Sequence, residues 1–365
     1  MRVAVIDRQF PHHSAYSGYR QLARRQEDVD LLSGWWPQRL PVGVADAVVR
    51  RTRRPAYSPT SMGLELAALR RMLSRPRDIY HVLYGEDDYH YLAIAAPLLR
   101  RAGGKLLASF HQPPAIFDDA VPKRILPQLD GALVCTDEQA QHLSLWIPRS
   151  RIHRVPHGVD TTFFAPDGVR RDCSEAMTVM TVGIWQRDFD VLEQVVATFA
   201  ERDTQVRFVV VGTPEVTARF ARQPGVDART GISDDELRDL YRRADVLFLP
   251  LVQAAANNTL LEAMACGLPI VATDLPGVRE YAGRDGALFV PAFDPAAAVG
   301  AISRLVSDAM RRERLGRRAR ERALVFDWEA CAAILHDVYE CTGARPSSHS
   351  NSSSATSRDP ASLRL

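Results

Sequence analysis

ADVLFLPLVQAAANNTLLEAMACGLPIVATDLPGVREYAG, residues 244–283, is the stretch on which the reading of this chain turns. Asp245–Leu249 is an apolar run of strand length that stops at Pro250, and such a run reads as a strand covered on both faces. A loop of small residues follows, and the pattern predicts a helix over Thr259–Cys266, closed by Gly267 with Pro269 behind it. Pro269–Ala272 begins the next strand. In an open parallel sheet, the loop leaving a strand's carboxyl end lies over the ligand crevice. The helix after it turns free amides and its positive dipole end toward that crevice. Ala254–Ala256 leave the backbone open to close approach, and Asn257, Asn258 and Thr259 add neutral polar contacts. With the Asn258–Leu260 amides they form a seat suited to a diphosphate. Glu262 has two readings. It stands at N3 of a Thr-x-x-Glu capping box begun by Thr259, or its carboxylate accepts hydrogen bonds from a ribose diol, and spacing does not separate them.

The same alternation extends outward. Val3–Ile6, Ile79–Leu83, Lys105–Phe110 and Ala132–Cys135 read as strands, with helical stretches such as Gly63–Leu73 and Tyr91–Arg101 between them. After a loop-rich segment, His157–Ala176, the pattern restarts with strands Thr178–Val182 and Val206–Val211 and helices Val191–Ala200 and Asp234–Arg243. Strands alternating with helices imply parallel sheets with helices on both faces, so the expected class is α/β with two Rossmann-like, doubly wound parallel-sheet domains. Their expected extents are residues 1–160 and 161–326. A terminal helix is expected over 327–343, with Asp327 as its N-cap and Gly343 as its end. The rest, ARPSSHSNSSSATSRDPASLRL (344–365), is Ser-rich and poor in aliphatic residues, the composition of a disordered tail.

Composition narrows the class. The chain has 365 residues, 46% apolar and 25% charged, enough for two ordinary cores. Its net charge of +2 argues against a dedicated nucleic-acid binder. Only Lys105 and Lys123 are lysines, so 44 of the 46 basic residues are arginine, which biased codon usage explains. No apolar run reaches the length of a membrane span, and Asp7 and Arg8 break the opening MRVAVIDRQF, unlike a secretory signal. Cys135, Cys173, Cys266, Cys331 and Cys341 lack the spacing of a metal cage or disulfide framework and fit a reducing cytoplasm. Charge divides unevenly, at +6 over residues 1–160 and −4 over the rest. RRTRRP (50–55), RRMLSRPR (70–77) and LLRRAGGK (98–105) hold much of the excess. They read as solvated surface, or as a basic face for an anionic acceptor or for anionic lipid at the inner membrane.

LLEAMACGLPIVATDLPGVREY (260–281) resembles the signature of the retaining GT-B glycosyltransferases of family 4. VPHGVDTTFFAP (155–166) is similar to the segment joining that family's two lobes, and GISDDELRDLYRRADVLFLP (231–250) to the helix and strand before its signature. DWEACAAILHDVY (327–339) resembles its terminal helix, which crosses back onto the first lobe. The resemblance implies transfer of a sugar from a nucleotide-diphosphate donor to an acceptor hydroxyl of a small molecule or glycan. It implies retention of configuration, with no cofactor besides the donor. In the family's E-x7-E motif the second Glu falls on Glu262 and is expected to hold the donor ribose, whereas the first falls on Ala254. That departure keeps two other readings in play, a non-catalytic nucleotide-sugar binder and a nucleotide-sugar epimerase on the same architecture.

The resemblance also directs attention to TVGIWQRDFDVL (181–192), where the family has two cations for the diphosphate after a glycine. Here Gly183 is followed by Ile184, and Arg187 is the candidate cation, with surface pairing to Asp188 or Asp190 as the alternative. In LASFHQPP (107–114), His111 falls where the family often contacts the donor sugar. His111 and Arg187 are thus the catalytic candidates. Acceptor-side candidates are Ser17 and Gly18 in HHSAYSGYRQL (12–22) and Glu86 and Asp87 in YGEDDYHY (84–91), the latter reading equally as an acid-rich helix start. His12, His13, His81 and His90 lack metal-ligand spacing and no Asp-x-Asp stands at a strand end, so catalysis without a divalent ion is expected.

Overall fold

The computed structural model describes residues 2–8, 10, 15–33, 47, 49, 50, 57–168, 176–202 and 205–343. The tail assigned to 344–365, together with His12, His13, Cys173 and residues 51–55 of the basic run, lies outside the described residues. Two six-stranded sheets organise the rest. The first contains β1 (Val3–Asp7), β2 (Val29–Ser33), β3 (Ile79–Val82), β4 (Lys105–Phe110), β5 (Gly131–Val134) and β6 (Ile152–Arg154), in the order β2-β1-β3-β4-β5-β6. The second contains β7 (Met177–Val182), β8 (Val206–Val211), β9 (Val226–Arg229), β10 (Val246–Leu249), β11 (Ile270–Thr273) and β12 (Leu288–Val290), in the order β12-β11-β10-β7-β8-β9. Every pairing in both sheets is parallel. The α/β class and the two doubly wound sheets expected from the sequence are both present.

Each sheet reverses its winding beside its first strand. In the second unit the chain runs β7, β8, β9 to one side and then β10, β11, β12 to the other, so the crevice opens between β7 and β10. The loops that leave these two strands begin at Gly183 and at Pro250. They are tied together at their start. The Asp188 amide donates to the Pro250 carbonyl at 3.1 Å and the Val252 amide to the Gln186 carbonyl at 2.9 Å.

Helices flank the sheets. The first unit carries α1 (Arg20–Arg24), α2 (Pro59–Ser74), α3 (Gly85–Asp88), α4 (Leu92–Arg101), α5 (Pro114–Ala120) and α6 (Asp137–Leu143). The second carries α7 (Phe189–Glu201), α8 (Pro214–Phe220), α9 (Asp234–Arg243), α10 (Asn258–Ala265), α11 (Pro276–Ala282), α12 (Pro295–Ser307) and α13 (Ala309–Leu324). Ser58, Thr136 and Ser233 open α2, α6 and α9 with reciprocal capping boxes, which settle two orphan amides at each start. Central strands such as Val246–Leu249 are wholly buried, as a sheet covered on both faces requires.

A last helix, α14 (Trp328–Gly343), belongs to the second unit in sequence but packs on α1 of the first. Arg25 pairs with Glu329 at 2.8 Å, Gln26 donates to the Ala332 carbonyl at 2.7 Å, and the Tyr339 hydroxyl lies 2.6 Å from His81 Nδ1. Trp328 anchors the crossing. Its indole N–H donates to the Tyr16 carbonyl at 3.1 Å, and a Cβ on Gly158 would lie 2.3 Å from its ring. Only glycine lets the linker between the units pass there.

Candidate functional site

The helix at the crevice begins one residue earlier than the sequence suggests, and this changes its cap. Asn257, not Thr259, is the N-cap of α10, and its side chain accepts from the Leu260 amide at 3.0 Å. The Thr259–Glu262 capping box therefore does not form, and the Leu260 amide is already satisfied. The Asn258 and Thr259 amides have no hydrogen-bond partner among the described residues, so two main-chain donors point out of the helix start, not three.

The alanine loop also differs from its sequence reading. Ala254 and Ala255 are buried, and a Cβ on Gly277 would lie 2.5–2.6 Å from their carbonyl oxygens. The small residues are thus taken up by packing of this loop on α11, and Ala256 is the member of the three that is only half-buried.

Glu262 and Arg187 face each other from the two loops' elements. Glu262 is buried on the inner side of α10, where the Tyr241 hydroxyl of α9 donates to Oε2 at 3.0 Å. Burial pushes its carboxyl up to about 8, with the Tyr241 hydrogen bond acting in the opposite direction. Arg187 is buried too. Nε donates to the Val182 carbonyl at 2.9 Å, Nη1 to the Trp185 carbonyl at 3.0 Å, and Nη2 to Thr259 Oγ1 at 3.0 Å. Burial lowers its pKa to about 10, so it remains a cation at neutral pH. It pairs with neither neighbouring acid: Asp188 accepts from the Val191 amide to cap α7, and Asp190 pairs with Arg219 at 2.6 Å. Gly183 makes room for this guanidinium. Its φ is +88°, and a Cβ would lie 2.9 Å from Arg187 Nη2. Ile184, in the place of the family's first cation, is exposed.

Tyr16, Ser17, His157, Gly158, Asn258 and Glu262 line one small gap where the two units meet, too tight to hold a water molecule. Ser17 of the first unit and the α10 start of the second are thereby brought together, and Gly18 beside Ser17 takes φ +87°. A diphosphate enters this gap only if the units part or the loop through Ser17 shifts.

The other candidates lie deeper in the first unit. His111 follows β4, half-buried, with its ring stacked on Tyr19 at 3.4 Å between centroids. Nε2 lies 2.5 Å from the Leu83 carbonyl, which can only accept, so Nε2 carries the proton; Nδ1 lies 3.4 Å from Cys135 Sγ. Both ring nitrogens are thus engaged within the first unit. Glu86 is not an exposed acceptor-binding acid. It is buried, Oε1 accepts the amides of His111 and Gln112, the latter at 2.8 Å, and burial pushes its carboxyl up to about 7. It holds the loop that carries His111. Asp87 faces Arg8 at 3.5 Å. Among the described residues no group of three or more His, Cys, Asp or Glu is placed to hold a metal ion, and no helix is long and apolar enough to cross a membrane.

Three contributors carried no signal of their own in the sequence. Tyr241 sits at ordinary helical spacing within α9. Glu280 and Tyr281, at the end of the quoted stretch, bind the first unit: Glu280 pairs with Arg154 at 2.6 Å and accepts the Asp137 amide at 2.9 Å. The Tyr281 hydroxyl donates to the Cys135 carbonyl at 3.1 Å and accepts the His157 amide at 2.8 Å.

Comparison with known proteins follows the same outline. Residues 176–308 match the family model described as Glycosyl transferases group 1, and residues 14–163 match Glycosyltransferase Family 4. The chain is 30% identical over 234 residues to an MMP alpha-(1->4)-mannosyltransferase of Mycolicibacterium hassiacum, covering 61% of this chain and 57% of that protein. It is 34% identical over 168 residues to a D-inositol 3-phosphate glycosyltransferase of Streptomyces bingchenggensis, covering 41% of this chain and 37% of that one. The matched region thus spans about half the length of such relatives, 57% and 37% in these two. Among solved structures, Anabaena HepE in complex with UDP superposes with a TM-score of 0.67 at 12% identity, over 93% of this chain and 100% of that one. Sucrose-phosphate synthase from Thermosynechococcus elongatus superposes with a TM-score of 0.62 at 20% identity, over 77% of this chain and 78% of that one.

Proposed function

The chain belongs to the family-4 glycosyltransferases, glycosyl transferases group 1, and on that footing we propose that it moves a sugar from a nucleotide-diphosphate donor to an acceptor hydroxyl with retention of configuration. One observation carries the reading: a buried cation, two outward helix amides and a buried carboxyl converge on the crevice between β7 and β10. Arg187 and the Asn258 and Thr259 amides meet the diphosphate, where negative charge grows as the bond to the sugar breaks. Glu262 accepts from the ribose diol. The sugar carbon exchanges its bond to the phosphate oxygen for one to the acceptor oxygen, and the departing phosphate takes the acceptor's proton. Rate comes from positioning and charge stabilisation. The reading needs no cofactor or metal besides the donor.

The acceptor side is the first unit, through Ser17, Gly18 and the His111 loop that Glu86 holds. Peripheral contact of that unit with a membrane is part of the same reading. Ala254 favours one rival, a nucleotide-sugar binder without turnover, because a neutral methyl group stands where the family has its first Glu. A thermal-shift panel of UDP, GDP, ADP and TDP sugars identifies the donor, since ligand binding raises apparent stability by mass action. Incubation of that donor with sugar and polyol phosphates follows, inositol 3-phosphate included because one relative is named for it. A glycosylated product of retained configuration supports transfer. Donor binding with neither product nor slow donor hydrolysis overturns it in favour of the binder.

A further inference from the structure

Six large apolar side chains stand exposed at helical spacing on two neighbouring helices of the first unit. α2 buries Leu64, Ala68 and Met72 and presents Leu66, Leu69 and Leu73. α4 buries Leu92, Ala93, Ala96 and Leu99 and presents Ile94 and Leu98, with its N-cap Tyr91 exposed before them. Leu73, Ile94 and Leu98 are the most open, at 78%, 72% and 65% exposed. Spacing of three and four residues puts each set on one helix face. Both buried faces enter the same core cluster, with Ala4, Ile6, Tyr80, Val82 and Leu106 of the sheet, so both exposed faces look outward on the same side.

The two helices are fixed to one another. The buried Glu65 of α2 accepts the Tyr91 and Leu92 amides at 2.7 and 3.3 Å, and the Tyr57 hydroxyl donates to its other oxygen at 2.6 Å. The start of α4 is therefore held against the α2 residue that precedes Leu66, and the two apolar stripes adjoin. Scattered exposed leucines are ordinary, but a contiguous apolar face on fixed helices marks a contact surface.

The exposed charge that these two helices carry has one sign. Between residues 59 and 77 the only acid is Glu65, which is buried, and none occurs between 91 and 105. Arg70, Arg75, Arg77 and Arg101 are exposed on the same segments, and Arg2, Arg75 and Arg77 border an open depression beyond the α2 end, where Asp78 is paired with Arg71 at 3.5 Å. A second copy meeting this face about a two-fold axis would set arginines against arginines. An anionic lipid leaflet neutralises them while its acyl boundary receives the leucines.

We propose that the outer face of α2 and α4 docks the protein on an anionic lipid bilayer. Leu66, Leu69, Leu73, Ile94 and Leu98 enter the boundary between headgroups and acyl chains, and Arg70, Arg77 and Arg101 take up lipid phosphates. This names the surface for the peripheral contact included in the reading above and rests on that part of it.

The test is co-sedimentation of the full chain with vesicles of phosphatidylcholine alone and of phosphatidylcholine mixed with phosphatidylglycerol. The parent is expected to pellet with the mixed vesicles, less so as salt rises, and to stay in solution with phosphatidylcholine alone. The combined variant Leu73→Ser, Ile94→Ser, Leu98→Ser and the combined variant Arg70→Ser, Arg77→Ser, Arg101→Ser are each expected to bind the mixed vesicles about tenfold or more weakly. All six positions are exposed, and an unchanged melting temperature checks the fold. Equal binding by parent and variants overturns the proposal. So does a dimer, seen by sedimentation velocity, that the leucine and isoleucine changes dissociate while vesicle binding stays the same. Binding of UDP, GDP, ADP and TDP is measured on the same samples. Vesicle binding with none of the four nucleotides bound leaves this surface standing and removes the donor site instead.

Discussion

The Tyr241 hydroxyl donates to Glu262 Oε2 at 3.0 Å inside the second unit, and burial keeps that carboxyl protonated up to about pH 8. Two helices separated by a strand in sequence thus share one proton-bearing group at the crevice. A protonated carboxyl has one oxygen occupied by its own hydrogen, whereas two donating ribose hydroxyls call for lone pairs on both oxygens, which the ionised form offers even with Tyr241 on Oε2. Donor binding and loss of that proton are therefore linked.

The linkage has a sign. The ionised form binds the diol better, and it is scarce below about pH 8 in the free protein. Affinity for the donor's nucleoside diphosphate, once the panel identifies it, is expected to rise as pH increases from 6 toward about 8 and then level off, with a proton released on binding. Calorimetry in two buffers of different ionisation enthalpy measures that proton. A flat affinity profile with no proton release removes the carboxyl–ribose contact.

Glu262→Gln separates ligand from fold. Because Asn257 supplies the helix cap, this substitution disturbs no capping box, and the new amide oxygen still accepts from Tyr241. Affinity for that nucleoside diphosphate is expected to fall by about tenfold or more, the value of a hydrogen bond to a charged group at roughly 1.5–3 kcal/mol, while the melting temperature changes little. Tyr241→Phe is expected to do the reverse in part. It leaves the carboxyl without its donor, costs about 1 kcal/mol of stability, and shifts the rise in nucleotide affinity to higher pH. Unchanged affinity for the donor's nucleoside diphosphate in Glu262→Gln is the result that contradicts this assignment.

Arg187 serves the fold through two carbonyls and the ligand through its charge, so its variants need a ligand that reports on charge alone. Arg187→Ala is expected to weaken binding of the donor's nucleoside diphosphate far more than binding of the bare nucleoside, which has no diphosphate. Removal of one buried charge contact corresponds to about 2–5 kcal/mol. Parallel losses for both ligands, tracked by calorimetry, assign Arg187 to structure only.

The sequence made the centre of each sheet legible and left its rim unread. Val206–Val211 and Lys105–Phe110 were delimited to the residue because central parallel strands are buried on both faces and read as continuous apolar runs. The strands without a sequence signal, Val29–Ser33, Ile152–Arg154, Val226–Arg229 and Leu288–Val290, are the four sheet edges. Half-exposed and, in three of the four, interrupted by Asp30, His153 or Asp227, they lack that run. At the site, spacing located Glu262, Arg187 and the crevice loops. It does not place the cap two residues earlier at Asn257, which depends on backbone dihedrals, nor Tyr241, whose role depends on how two helices meet.

Buried carboxyls also set how stability varies with pH. Glu65 and Glu86 are each pushed up to about 7 from an ordinary 4.5, and Glu262 to about 8, all chiefly by burial. In the folded state each keeps its proton where the unfolded chain has lost it. Their stabilisation is complete below about pH 4.5 and drains away as pH rises through 7–8. His81 acts oppositely. Buried against Tyr339 and Ser109, it is held neutral down to about pH 3 from an ordinary 6.5, so its cost appears only as pH falls below 6.5. Above pH 6.5 the carboxyls act alone, and the melting temperature is expected to fall between pH 6.5 and 8. Glu86→Gln keeps an acceptor for the His111 and Gln112 amides but cannot ionise. It is expected to flatten that fall in a scan of melting temperature against pH. A parent protein that grows more stable over the same interval contradicts the assignment of these carboxyls as neutral in the fold.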